Sequence, residues 1–238
     1  RCKGLCDEAI TCYVTATKLN ERHYSAYAKI GDIFYARKEH EKAIAYYKTL
    51  IDKSPKESMV HFFTGKICEV KGDMDCAMYE YEEAIKCTPG YLEALCSIAR
   101  GYATKGEFMK AVDYYQRAKT LRPYDEDILL NLGIAYTELK EFDQALQVLL
   151  IALKANPFNE DTRFYLGAAY YGTGNIEQAI KQTKEALKVN PDKSHIHFSL
   201  AMYYEKVGWS DMAVVEYQEA VRLDRDYVEK QLQKMKAK

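Results

Sequence analysis

Five prolines, Pro55, Pro89, Pro123, Pro157 and Pro191, follow one another at intervals of 34 residues. A fixed period of this length marks a stacked-repeat architecture, in which a single unit cannot bury its apolar face and does so against its neighbours. Such an array is quasi-one-dimensional, so the 238 residues are expected to form one continuous solenoid with no central core to divide. Most of the periodic residues then serve packing. That limits what the repeat itself says about function.

With each proline at position 32, the units 24–57, 58–91, 92–125, 126–159, 160–193 and 194–227 align without an insertion. Position 8 is Gly31, Gly65, Ala99, Gly133, Gly167 and Ala201, and position 20 is Ala43, Ala77, Ala111, Ala145, Ala179 and Ala213. Small residues at two fixed points are what two antiparallel helices need where their backbones cross closely. Bulk comes from position 11 (Phe34, Cys68, Tyr102, Tyr136, Tyr170, Tyr204) and position 24 (Tyr47, Tyr81, Tyr115, Leu149, Thr183, Tyr217), with Cys68 and Thr183 the weak packers. Position 27 is mostly small (Leu50, Ala84, Ala118, Ala152, Ala186, Ala220). Glycine near position 15, at Gly72, Gly106, Gly174 and Gly208, suits a left-handed helix terminus. The proline closes the second helix.

These columns resemble the small-large-small signature of the tetratricopeptide repeat family over almost the whole chain. Periodicity alone gives helical hairpins. The resemblance implies more: an all-α, tetratricopeptide-type α-solenoid in which antiparallel helix pairs wind into a right-handed superhelix, the first helix of each lining a concave groove. Residues 1–23 continue the phase backwards, with Gly4, Ala9, Tyr13 and Ala16 at positions 15, 20, 24 and 27. They read as the second helix of a truncated repeat. After residue 227, Val228, Leu232 and Met235 form a one-sided apolar stripe, so 228–238 reads as a capping helix over the last apolar face.

A net charge of -1 with 48% hydrophobic and 29% charged residues offers no large single-sign field, so neither nucleic acid nor an anionic membrane is an expected partner. No apolar run reaches the ~18 residues of a spanning helix, so direct membrane insertion is not expected either. The seven cysteines (Cys2, Cys6, Cys12, Cys68, Cys76, Cys87, Cys96) lack the spacing of a disulfide framework or of CxxC zinc pairs, and a reducing, cytoplasmic setting is the simplest reading.

Catalysis finds little footing, and the chain is expected to be non-enzymatic and free of cofactors. The five histidines (His23, His40, His61, His195, His197) form no HExxH pattern, and His195 and His197, two apart, do not share a helix face. They read as surface or groove residues rather than metal ligands. Cys2 and Cys6 share a face but are a poor zinc site by themselves. Asp125, Glu126 and Asp127 fall where a helix begins and read as capping and dipole partners. Gly172 and Gly174 read as a helix stop, there being no GxxxxGK[ST] sequence. Most of the 21 tyrosines occupy packing columns, without the interleaved bases of a nucleic-acid stacking platform.

The family resemblance places ligands at first-helix positions 2, 5, 9, 12 and 13. Position 5 is Ala28, Phe62, Cys96, Leu130, Phe164 and Phe198, and position 9 is Asp32, Lys66, Arg100, Ile134, Ala168 and Met202. The basic carboxylate clamp of chaperone-binding members is missing, position 5 carrying no base. The asparagine ladder of glycosyltransferase-type arrays is missing too, position 6 being Lys29, Phe63, Ser97, Asn131, Tyr165 and Ser199. What remains is an apolar and aromatic strip of Leu130, Ile134, Phe164, Tyr171, Phe198 and Met202, and a positive stretch where Lys66 and Arg100 stand beside Phe62. That pattern predicts an adaptor or scaffold holding an amphipathic helix or extended peptide with an acidic flank. Two other readings stand beside it. Ala155-Asn156-Pro157, Asn159, Arg163-Phe164 and Leu166-Gly167 resemble a magnetosome-associated scaffold of the family, which implies self-association. The truncated first repeat also fits a targeting module cut from a larger enzyme.

Overall fold

A computed structural model of the chain describes residues 2–54 and 56–236, with the side chains of residues 2–6 outside the description. Expectations for Pro55 and for the thiols of Cys2 and Cys6 therefore lie outside the described residues. Helices alone make up the regular structure among those residues, fourteen of them and no strand.

The chain separates into two units, 1–105 and 106–238. The first holds α1 (Cys2–Leu19), α2 (Tyr24–Ala36), α3 (His40–Lys53), α4 (Glu57–Val70), α5 (Met74–Cys87) and α6 (Leu92–Thr104). In it α2 pairs with α3 and α4 with α5, while α1, α3 and α5 each pack on the helix that follows. The second holds α7 (Phe108–Leu121), α8 (Glu126–Glu138), α9 (Phe142–Ala155), α10 (Glu160–Gly172), α11 (Ile176–Val189), α12 (Ser194–Lys206), α13 (Ser210–Leu223) and α14 (Arg225–Lys236). There the tight pairs are α8–α9, α10–α11 and α12–α13, and α14 lies on α12 and α13.

The close approach inside each pair is set by positions 8 and 24. A methyl group on Gly31 would stand 2.4 Å from the Tyr47 ring, and one on Gly65 would stand 2.6 Å from the Tyr81 ring. Tyr47 and Tyr81 are fully buried there, as is Leu149 against Gly133 in the second unit. The missing side chain is thus the space into which the partner helix inserts its largest one.

Turns within the pairs fall at position 15. Gly72 has φ +80°, which only glycine adopts without steric cost. Where the column lacks glycine, Lys38 and Lys140 take the same left-handed conformation at φ 61° and 60°, so the turn geometry is imposed by the pairing and the residue tolerates it. Gly4, at the repeat position of such a turn, lies instead inside α1. The cap expected at the acidic cluster is present, the Asp125 carboxylate accepting from the Ile128 amide at 3.2 Å, and Asn159 likewise accepts from the Thr162 amide at 2.8 Å.

Candidate functional site

In the first unit, α2, α4 and α6 bring Asp32, Lys66, Glu69 and Arg100 together. The Lys66 side chain is 11% exposed; its ammonium has Asp32 at 3.8 Å and Glu69 at 3.7 Å and sits 4.9 Å above the Tyr35 ring. The Arg100 guanidinium reaches Glu69 at 3.6 Å. Three tyrosines complete the network: Tyr47 donates to Asp32 at 2.7 Å, Tyr81 to Glu69 at 2.7 Å, and Tyr35 to Glu69 at 3.3 Å. Burial, reinforced by the facing carboxylates, pushes the Tyr47 and Tyr81 phenols far above their ordinary value, so both remain donors.

This arrangement corrects the positive stretch read from the sequence. Two cations face two carboxylates, so the formal charge of the cluster is zero, and Lys66 is held inside it. The sequence reading took Lys66 and Arg100 from position 9 and passed over Glu69, three residues on, where one helical turn brings it beside them. Phe62 is also core rather than groove: it is 7% exposed and its ring lies 4.9 Å from Phe63, 5.6 Å from Tyr81 and 5.1 Å from Tyr91.

In the second unit, Leu130 and Ile134 on α8, Phe164 and Tyr171 on α10, and Met202 on α12 are all half-buried. Helix α10 touches both α8 and α12, so these five apolar side chains belong to three adjoining first helices. Phe164 meets Tyr165 edge-on at 5.1 Å and His195 at 5.0 Å, and Tyr171 stacks on Tyr203 at 4.6 Å. Phe198 departs from the strip. It is 4% exposed, packs on Ala220 and Val228, and meets Tyr217 and Tyr227 edge-on. Helix α14 supplies Val228 and Tyr227, and this cover is what removes Phe198 from the surface.

His195 joins Phe164 although the columns at positions 5 and 9 do not contain it. It stands at position 2 of its repeat. Desolvation first, and then the Lys193 ammonium, hold the His195 imidazole below its ordinary value, with Asp161 opposing them. The ring is thus neutral at physiological pH, in keeping with its apolar neighbours.

Two cysteine features were also missed. Cys68 and Cys76 form a disulfide between α4 and α5, with Cα atoms 5.8 Å apart. The short turn between these helices places position 11 of one opposite position 19 of the other, which spacing along the chain does not announce. The bond is out of keeping with the reducing setting that the cysteine pattern pointed to, whereas the free thiols of Cys12 and Cys87 are in keeping with it. The second feature is a grouping of Glu57, His61 and Cys87, which joins residues 30 apart in sequence. No helix among the described residues is long and apolar enough to cross a membrane.

Models of the tetratricopeptide repeat match residues 3–58 and 42–91 in one form and 94–226 in another. Among curated proteins, the BBSome complex member BBS4 of Bos taurus is 27% identical over 105 residues, 44% of this chain. The match spans 20% of that protein's length. Among solved structures, a crystal structure of MamA superposes with TM-score 0.63 at 24% identity, covering 69% of this chain and 96% of that one. MamA residues 41-end from Desulfovibrio magneticus RS-1 give TM-score 0.67 at 21% identity, covering 71% and 96%. At such identities the likeness is one of fold.

Proposed function

This chain belongs to the tetratricopeptide repeat family, and we propose that it is a non-enzymatic adaptor that holds an apolar segment of a partner protein against the first helices of residues 126–206. We divide it as a partial repeat at 1–23, six tandem repeats at 24–227 and a capping helix at 228–238. The observation that carries the proposal is the half-buried strip of Leu130, Ile134, Phe164, Tyr171 and Met202. A strip of aliphatic and aromatic side chains on adjoining helices suits one face of an amphipathic helix or alternate residues of an extended peptide, with affinity resting on a few rings. The charge-balanced cluster of the first unit supports no acidic flank, so the partner segment is read as apolar.

A Leu130→Glu, Phe164→Glu double variant tests this reading, once far-UV circular dichroism and thermal melting show its fold to be intact. Affinity capture compared by mass spectrometry should lose a protein with the variant that the wild type retains. An unchanged set of captured proteins would sink the proposal.

One observation favours a second reading, self-association. Val214 and Val215 on α13 are 53% and 61% exposed, with Trp209 next to the helix start at 52%. Light scattering across a concentration series decides it: a mass that rises in wild type but not in Val214→Ser, Val215→Ser supports self-association, and a constant monomer mass removes it.

A further inference from the structure

We propose that Glu57, His61 and Cys87 form a Zn²⁺ site in the first unit. Glu57 and His61 are four residues apart in the first turns of α4 and so share a face. Cys87 is the last residue of the antiparallel α5 and returns beside them. The carboxylate, imidazole and thiol ligand atoms all lie within 4.8 Å of one another. Closing to the roughly 3.5 Å spacing of donors about a tetrahedral ion follows from Zn–ligand distances of about 2.0–2.3 Å. Glu57 and Cys87 are exposed, so their side chains are free to make that adjustment.

The histidine is already oriented. His61 Nδ1 lies 2.7 Å from a Glu80 carboxylate oxygen, and the tautomer that donates to Glu80 through Nδ1 is the one that offers the Nε2 lone pair to a metal. A carboxylate behind a metal-binding histidine is the usual way of fixing its tautomer and raising its basicity. The second unit shows the same pair without the other donors. At the same repeat positions, His197 Nδ1 lies 2.6 Å from Glu216 and its Nε2 lies 2.9 Å from the Pro191 carbonyl. There Lys193 and Leu223 stand where Glu57 and Cys87 stand in the first unit. The pairing alone is therefore a packing device between helices, and the added carboxylate and thiol are what turn it into a donor set.

That donor set selects the ion. One nitrogen, one sulfur and one oxygen suit a borderline-soft cation, whereas Mg²⁺ and Ca²⁺ call for oxygen throughout. The thiol must shed its proton to bind Zn²⁺, so binding releases a proton and weakens as pH falls.

Co²⁺, which absorbs where Zn²⁺ is silent, is the probe. The full chain titrated with Co²⁺ in metal-free buffer is expected to develop thiolate-to-cobalt absorption that saturates at one equivalent and is displaced by Zn²⁺. Cys87→Ser should abolish the band, Cys12→Ser, Cys96→Ser and Cys2→Ser, Cys6→Ser should keep it, and Glu80→Gln should weaken binding about 10–100-fold. A second readout needs no variant: one equivalent of Zn²⁺ should protect Cys87 of the wild type from alkylation. Absence of the band in wild type, its survival in Cys87→Ser, or unprotected Cys87 would each overturn the site.

Discussion

In residues 1–105 the position-9 column holds Asp32, Lys66 and Arg100, answered by Glu69 and three tyrosine hydroxyls. In residues 106–238 the same column holds Ile134, Ala168 and Met202, and its neighbours are Phe164, Tyr171 and Tyr203. The helix pairing is the same in both units, with a small position 8 under a position-24 side chain. What differs is whether the side chains beside that crossing satisfy one another or leave apolar surface without a polar partner. A closed polar network has little left to offer a ligand, whereas an apolar strip gains by being covered.

The largest effect is expected where the strip ends. Phe198→Ala should cost about 3–5 kcal/mol, as for a buried phenylalanine, read from the denaturant midpoint of the full chain. A loss below about 1 kcal/mol would return Phe198 to the surface strip and weaken the contrast between buried and half-buried rings.

Next come the two glutamates at position 12. Glu69→Ala removes the acceptor of Tyr81 and Tyr35 and one counter-charge of Lys66, and should cost about 2 kcal/mol because buried donors are left unsatisfied. Glu205 receives a bond from Tyr217 at 2.9 Å in the same geometry but is exposed, so Glu205→Ala should cost only about 0.5 kcal/mol. Equal losses at the two positions would mean that the first-unit network is not the closed one described.

At position 24 the second unit carries a defect that the first does not. Tyr47 and Tyr81 have acceptors, but the buried Thr183 hydroxyl has no partner among the described residues. Thr183→Val keeps the shape and removes the orphan group, and should stabilise the chain by about 1 kcal/mol. A destabilised variant would reveal a partner for that hydroxyl.

The comparison also shows what a sequence of this kind discloses. The small and large columns were legible because pairing two helices imposes the same steric demand in every unit, and Gly31 under Tyr47 repeats as Gly65 under Tyr81. Groove residues carry no such demand. Glu69 neutralises Lys66 by standing one turn away, Phe198 is covered by α14, and Cys87 comes near Glu57 and His61 across a helix pair. Each of these depends on a neighbour that the repeat does not fix.

The smallest expected effect concerns pH. The His195 imidazole is held below its ordinary value by desolvation and by Lys193, against Asp161, among the rings of Phe164 and Tyr227. In the unfolded chain it takes up a proton as pH falls through about 6.5, while in the folded chain it resists. The unfolded state then binds more protons, so stability is full above that pH and declines as pH drops toward the lower folded value. Thermal melting of wild type should therefore fall more steeply between pH 7 and about 5 than that of His195→Gln, the difference cancelling the histidines common to both. Once protonated, His195 would also set a charge beside Phe164, so a partner held on this strip should bind more weakly in acid to wild type and not to the variant. Parallel pH profiles for the two proteins would mean that His195 is solvated in the folded state and that the strip beside it is more polar than its neighbours imply.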